Sequence, residues 1–161
     1  MHNASMATAE EEVATAKSRT GYVMTYCGCP VLWGSKLQSV IALSTTEAEL
    51  VALSTALRDV IPTIEFMKEL HQQKVIPNYS PPKIKCKVFE DNSGALEIAT
   101  VHKMQPRTKH MNVRYHHFRE FVKSGEIVVE AIRSQWQLAD MLTKQPTKEL
   151  FLKLRKLLMG W

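Results

Sequence analysis

Between residues 50 and 64, large apolar side chains recur at three- and four-residue steps, the period of an α-helix. They are Leu50, Leu53, Leu57, Ile61 and Ile64. Such spacing puts them on one side of a helix, which needs a core to pack against. Pro62 lacks an N–H and crowds the preceding turn, so it should kink this helix or start a second one. The stretch predicts a long amphipathic helix, with any break at Pro62.

The segments around this helix predict strands and shorter helices. Before it, TGYVMTYC, PVLWGSK and QSVIAL are rich in β-branched and aromatic residues and read as three short antiparallel strands, with a turn at residues 28–30. After it, the strand-like segments IKCKVFE and EIVVEAI alternate with helix-like segments, which are NSGALEIATV, residues 113–121, QWQLADMLTK and KELFLKLRKLLMGW. The order βββαβαβα predicts an α/β fold with a mixed sheet.

Length and composition fit one globular domain with a tail. The 161 residues, 45% of them hydrophobic, can bury one core. Residues 1–19 are small, polar and charged and are expected to form a flexible or partly helical tail, with the domain at residues 20–161. The sequence has no secretion signal and no apolar run of about 18 residues. Its three cysteines lack a disulfide-framework spacing. We therefore expect an intracellular protein that is not secreted and has no membrane partner.

Positive charge is concentrated in one part of the chain. The net charge of +5 favours a polyanionic partner such as nucleic acid. The stretch from His102 to Lys123 is strongly basic, and a role in contacting a nucleic-acid backbone is one interpretation of it. A solvated charged face is the other. The candidate binding residues are Lys103, Arg107, Lys109, His110 and Arg114.

Two carboxylates in the segment STTEAEL have different predicted roles. Ser44 and Glu47 have the spacing of a capping box, in which Ser44 bonds a first-turn N–H and Glu47 reaches back to the Ser44 N–H. Glu49 lies about 200° around the helix from Glu47, at the border of the apolar side. A carboxylate there is costly unless it is paired or binds a cation. Glu49 is therefore a candidate ligand, whereas Glu47 has a structural role.

Two further acids lie at the ends of predicted elements. Asp91 follows an apolar strand and precedes a helix, where open α/β sheets place ligand-binding groups, although it could equally be a helix cap. Asp140 lies partly on the apolar side of a short predicted helix, and taken alone it reads as an ordinary exposed helix residue.

Four stretches of the chain, in order and at consistent spacing, resemble the ribonuclease H domain at the end of the polyprotein of copia-type LTR retrotransposons. They are SRTGYVMTYCGCPVLWGSKLQSVIALSTTEAELVAL, EDNSGALEIA, RTKHMNVRYHHFREFVKSGEI and QLADMLTK. The resemblance as a whole covers about residues 17–160. The resemblance implies a ribonuclease H-like fold, linked to an upstream reverse transcriptase segment, in a cytoplasmic particle or the nucleus.

The resemblance also implies an activity and a site. Ribonuclease H domains hydrolyse the RNA strand of RNA·DNA hybrids with two Mg²⁺ or Mn²⁺ ions held by four carboxylates. The resemblance implies that Glu49, Asp91 and Asp140 are catalytic and metal-binding residues. Carboxylate oxygens suit Mg²⁺, and paired ions can activate a water molecule and stabilise a leaving oxygen.

The family's fourth acid has no counterpart in this chain. It lies on the first strand, which is central in the family's sheet, and this sequence starts MHNASMATAEEE without that strand. We therefore expect an N-terminally truncated domain, an incomplete sheet, weak or single-ion binding and impaired cleavage. Two alternatives stay open: a non-catalytic remnant that binds nucleic acid, and a structural or interaction module.

Overall fold

The computed structural model describes residues 16–73, 75, 85–101 and 116–161. These residues form two compact units, each described here by itself. The first comprises the described residues up to Ala52 together with Ser134–Trp161, and the second comprises those of Leu53–Arg133. Residues 1–15, most of the expected tail, lie outside the described residues. The mixed α/β class expected from the sequence is confirmed: strands and α-helices both occur, and within the described residues each sheet has two strands.

In the first unit, strands β1 (Arg19–Tyr26) and β2 (Cys29–Leu37) form an antiparallel hairpin with an irregularity between Met24 and Thr25. Its turn residues are Cys27 and Gly28, with φ values of 50° and 80°. Positive φ at both central residues is the type I′ geometry, which matches the twist of the strands. The turn therefore lies one residue earlier than expected, and Pro30 belongs to β2.

A close contact crosses this hairpin. The ring of Tyr22 lies over its partner Gly34, where a Cβ would come within 2.6 Å of Tyr22 Cε1. The aromatic side chain thus occupies the space that a larger residue at position 34 would need.

The prediction of a third strand at QSVIAL is wrong, since residues 38–43 form no strand. After the Gln38 N–H bonds to Ser18 O, the ladder ends. The buried Gln38 side chain donates from Nε2 to Ala48 O (2.9 Å) and Thr20 Oγ1 (3.2 Å). Leu43 is 86% exposed, and its N–H bonds to the Glu47 carboxylate (2.9 Å). Side-chain hydrogen bonds thus lead the chain into the next helix instead of a third strand.

Helix α1 (Thr45–Gln72) is one continuous helix. The alternative of a second helix starting at Pro62 is therefore wrong. Proline removes a single N–H from the ladder, and Val60 and Ile64, on either side of it, are almost fully buried. The apolar stripe expected from the sequence is present, with Leu50, Leu53, Leu57 and Ile64 buried. Ile61 is half-buried, and Val60 takes the buried position beside it.

The second unit contains a parallel pair of strands. Strand β3 (Cys86–Glu90) pairs with β4 (Ile127–Ala131), from Cys86 opposite Ile127 to Glu90 opposite Ala131. Helix α2 (Ser93–Thr100) contacts both strands, and α3 (His116–Lys123) contacts β4. The buried side chains of these four elements include Ala95, Ala99, Phe118, Ile127 and Val129.

The segment QWQLADMLTK, expected to be a helix, forms two 3₁₀ turns instead of an α-helix. They are Ser134–Trp136 and Leu138–Leu142, held by bonds such as Gln137 N–H to Ser134 O and Asp140 N–H to Gln137 O. The Leu142 carbonyl accepts a hydrogen bond from Ser35 Oγ (2.6 Å). This contact from a distant strand accompanies the tighter coil.

Helix α4 (Lys148–Met159) follows in the first unit and contacts β2 and the second 3₁₀ turn. Thr147 Oγ1 accepts a hydrogen bond from the Leu150 N–H, and Gly160, with φ of 81°, ends the helix. This helix lies where the sequence predicts it.

Lys68 joins three side chains of the second unit. Its Nζ lies 2.6 Å from Glu126 Oε2, 2.9 Å from Glu65 Oε1 and 5.9 Å from the centre of the Phe121 ring. The hydrogen bond to Glu126, followed by that to Glu65, raises the pKa of Lys68 above its usual value of 10.5.

The raised pKa predicts a loss of stability in alkali. A cation that is better stabilised in the folded chain contributes fully below the unfolded pKa and stops contributing as the pH passes the folded one. Lys68→Met should therefore lower the free energy of unfolding by up to about 1 kcal/mol at pH 8. The deficit should shrink as the pH rises beyond 10.5, the usual pKa of lysine. Urea denaturation of the unmodified protein and the variant, at pH 8 and at a pH above 10.5, measures this deficit. A deficit that stays constant across this range would contradict the prediction.

Candidate functional site

Two carboxylates lie side by side at the end of β3. Glu90 is 6% exposed, and its Oε1 accepts a hydrogen bond from the Asn92 N–H (3.0 Å). Asp91 follows and is half-buried. Carboxylate oxygens of Glu90 and Asp91 lie within 4.8 Å of each other. The end of a parallel strand thus presents two adjacent acids, one of which is held by the backbone.

Asn92 fixes the turn from strand to helix. It is the N-cap of α2, and its Oδ1 accepts a hydrogen bond from the Ala95 N–H (3.0 Å). The sequence predicted that this helix is entered through Asn92 and Ser93. Since Asn92 supplies the cap, capping does not account for Asp91, whose carboxylate is available for another role.

Glu90 is a buried acid next to Asp91 that the sequence analysis did not single out. Its signal is the two-residue alternation of β3, in which Lys87 and Phe89 are exposed whereas Cys86 and Val88 are half-buried. Glu90 continues the inward series and is the most buried member. Because buried carboxylates are costly unless they are bonded, an acid at an inward position is informative.

Asp140 lies in the first unit, within the second 3₁₀ turn. Its side chain is 17% exposed, and Oδ1 lies 3.0 Å from Lys144 Nζ. It is therefore more enclosed than the ordinary exposed helix residue considered as the alternative. The ammonium of Lys144 offsets its negative charge.

The hairpin holds this 3₁₀ turn closely. Besides the Ser35 hydrogen bond, the backbone at Gly21 comes so near that a Cβ would lie 3.1 Å from Ala139 O and 3.1 Å from Leu142 Cβ. That Cβ would also collide with Thr143 Cγ2. Gly21 thus allows β1 to contact the turn that carries Asp140.

Gly21→Ala should therefore lower the free energy of unfolding by about 1–3 kcal/mol, the usual effect of overpacking. Thermal or urea denaturation measures the change. Thr143→Ser removes the methyl group that the new Cβ would meet, so the double variant should recover part of the loss. Strictly additive effects of the two substitutions would contradict this account of the contact.

The helix cap at α1 differs by one residue from the predicted capping box. Ser44 Oγ accepts a hydrogen bond from the Glu47 N–H (3.1 Å), as expected. The Glu47 carboxylate accepts from the Leu43 N–H, however, and not from that of Ser44. Glu49, two residues after Glu47 in the same helix, is half-buried.

The expected site residues are distributed over both units. Glu49 and Asp140 belong to the first unit, whereas Asp91 belongs to the second, beside Glu90. The candidate nucleic-acid-binding residues lie outside the described residues. They are Lys103, Arg107, Lys109, His110 and Arg114. Among the described helices, none is long and apolar enough to cross a membrane.

Comparison with known proteins identifies relatives of this chain among the polyproteins of plant transposons. It is 36% identical over 142 residues to the retrovirus-related Pol polyprotein from transposon TNT 1-94 of Nicotiana tabacum, a match that covers 87% of this chain and 10% of that protein. It is 31% identical over 134 residues to the corresponding polyproteins from transposons RE1 and RE2 of Arabidopsis thaliana, which covers 83% of this chain and 9% of each. The chain thus spans about a tenth of the length of these relatives. Neither a protein-family model nor a solved structure matches it.

Proposed function

Because this chain is homologous to a segment of the retrovirus-related Pol polyproteins of plant transposons, we propose that it is the ribonuclease H region of such a polyprotein. In its complete form the region hydrolyses the RNA strand of RNA·DNA hybrids. The four stretches of resemblance support this assignment. The mixed α/β architecture is compatible with a ribonuclease H-like fold.

The carboxylates Glu49, Asp91 and Asp140 are the proposed metal-binding and catalytic residues. The observation that carries the proposal is Asp91, which follows the end of a parallel strand and lies next to the buried Glu90. This donor set fits Mg²⁺ or Mn²⁺, since both prefer carboxylate oxygens. When bound, such ions supply activation of water and stabilisation of the leaving oxygen.

The chain's own residues hold these acids in place. The Asn92 cap and the hydrogen bond from its N–H to Glu90 fix the turn that presents Asp91. The hairpin, through Ser35 and Gly21, fixes the 3₁₀ turn of Asp140. Lys144 forms an ion pair with Asp140 Oδ1, so a metal ion bound to Asp140 would compete with the Lys144 ammonium. Both acids are thereby positioned by backbone contacts.

The three proposed ligands are one fewer than the four that the resemblance implies. The 161-residue polypeptide by itself is therefore expected to bind one ion or to bind ions weakly, and to cleave hybrids poorly. A longer polyprotein segment containing it is expected to cleave well. Other segments of the polyprotein, including a reverse transcriptase segment, are the proposed partners, together with the hybrid.

End-labelled RNA·DNA hybrid, incubated with Mg²⁺ and either polypeptide, tests the proposal. Cleavage of the RNA strand in the hybrid, with RNA·RNA duplex left intact, is expected from the longer segment. Failure of both polypeptides to cleave would overturn the assignment as a hydrolase. If both nevertheless bound the hybrid with a steep dependence on salt, the function would be that of a non-catalytic nucleic-acid-binding module, which the shortage of one carboxylate favours as the second candidate.

A further inference from the structure

The outward side of α4 carries both apolar and basic side chains. Leu154, fully buried, marks the inward side. At 100° per residue, Leu152, Lys156 and Met159 lie on the opposite side of the helix. Leu152 and Met159 are 41% and 46% exposed. The helix therefore has a solvent-facing surface in addition to the side that packs on the rest of the first unit.

A tryptophan paired with a cation flanks each edge of this surface. Lys153 Nζ lies 3.5 Å from the centre of the Trp136 ring, and Arg155 Cζ lies 5.3 Å from that of Trp161. Two residues apart on the helix, Lys153 and Arg155 point about 160° away from each other, on either side of Lys156. Trp136 is 42% exposed and Trp161 is 69% exposed. Trp136, Trp161 and the outward side chains of α4 form what we call the aromatic–basic surface.

This surface is positively charged. The side chains from Lys148 to Trp161 comprise four cations and one carboxylate, that of Glu149, which gives a net side-chain charge of +3. A cation over one face of an indole ring leaves the other face for a further partner. Exposed aromatic rings stack unpaired bases, and adjacent Lys and Arg side chains bind the phosphates of the same strand. We propose that the aromatic–basic surface of α4 binds single-stranded nucleic acid.

Single strands fit the surface better than a duplex or a membrane. The bases of a duplex are already stacked on one another, so its contacts would be limited to phosphates. A membrane-binding helix separates an apolar stripe from its cations. In α4, Lys156 lies beside Leu152 and Met159, and cations lie over both rings. The binding needs neither a metal ion nor the carboxylates at β3, so it does not depend on the proposed hydrolase function.

Titration of the 161-residue polypeptide with oligo(dT) in EDTA, followed by tryptophan fluorescence, tests the proposal. Stacking is expected to quench the fluorescence. Trp136→Ala and Trp161→Ala should each weaken binding by about 5-fold or more, the measured range for losing one stacked base. Trp33→Ala is the matched control, since Trp33 lies on β2 in the same unit and is 64% exposed. It should leave the affinity unchanged.

Charge variants give a second measurement that does not remove a ring. Lys153→Gln combined with Lys156→Gln should reduce the slope of log affinity against log salt by about 1.4, which is about 0.7 per phosphate contact. Lys36→Gln, an exposed lysine of β2, should leave the slope unchanged.

Three outcomes would overturn the proposal. They are the absence of quenching by oligo(dT), an affinity that falls with Trp33→Ala as much as with the α4 variants, and a salt slope that does not respond to the lysine variants. Vesicles containing phosphatidylserine serve as a comparison: a blue shift with vesicles, without quenching by oligo(dT), would assign the surface to membranes instead.

Discussion

Replacing Asp91 with Asn is expected to slow Mg²⁺-dependent cleavage of RNA·DNA hybrid by about 100-fold or more in the longer polyprotein segment for which we propose this activity. The substitution keeps the size of the side chain but removes the charge that a divalent cation needs. A 100-fold loss corresponds to about 2.7 kcal/mol of transition-state stabilisation, a modest part of what metal ions supply in such reactions. Single-turnover cleavage at saturating enzyme measures the chemical step directly.

Glu97→Gln is the matched control for this variant. Glu97 is an exposed acid of α2, only six residues from Asp91, and its substitution removes the same charge. It should leave cleavage within about 2-fold of the unmodified protein, since exposed charges act weakly through water. Equal losses in the two variants would show that general charge, and not a ligand at Asp91, governs the reaction. If Asp91→Asn left the rate of cleavage unchanged, Asp91 would not be a catalytic or metal-binding residue.

Phe118→Ala should be the most destabilising single substitution in the second unit. Phe118 is fully buried in α3, which packs on β4, and its ring meets that of His117 edge-on at 5.3 Å. Truncation of a buried phenylalanine costs about 3–5 kcal/mol, because apolar contacts are lost and a cavity remains. Against a total stability of about 5–15 kcal/mol for a domain, this leaves little margin. Urea denaturation should show a lower midpoint with an unchanged slope.

The corresponding control is Phe66→Ala. Phe66 lies on α1 in the same unit and is 57% exposed, so its truncation should change stability by about 0.5 kcal/mol or less. Similar effects of the two substitutions would mean that α3 does not form part of the folded core in solution.

The sequence predicted those parts of the fold that local pattern determines. The apolar period of α1, the Asn92 entry to α2 and the alternation of β4 each depend on neighbouring residues. The strand predicted at QSVIAL is absent, and the helix predicted at QWQLADMLTK is replaced by two short 3₁₀ turns, because contacts distant in sequence decide both segments. Gln38 bonds Thr20 and Ala48, and Ser35 bonds Leu142. No local propensity contains that information.

The candidate site, like the fold, was predicted from the sequence only where neighbouring residues determine it. The position of Asp91 follows from a strand ending and a helix beginning, both visible in the sequence. The sequence analysis did not single out Glu90, although the alternation of β3 places it inward. The enclosure of Asp140 could not be predicted, since it depends on a 3₁₀ turn lying against β1 and on the absence of a side chain at Gly21.

The two hairpin glycines also limit how this protein can be engineered. Scales of β-propensity rank glycine among the poorest strand residues, so a thermostability screen guided by them would first replace Gly21 and Gly34 with valine or threonine. At position 34 the new side chain would meet the Tyr22 ring, and at position 21 it would displace the segment that carries Asp140. Designs should keep both glycines fixed and diversify exposed β2 positions such as Val31 and Lys36 instead.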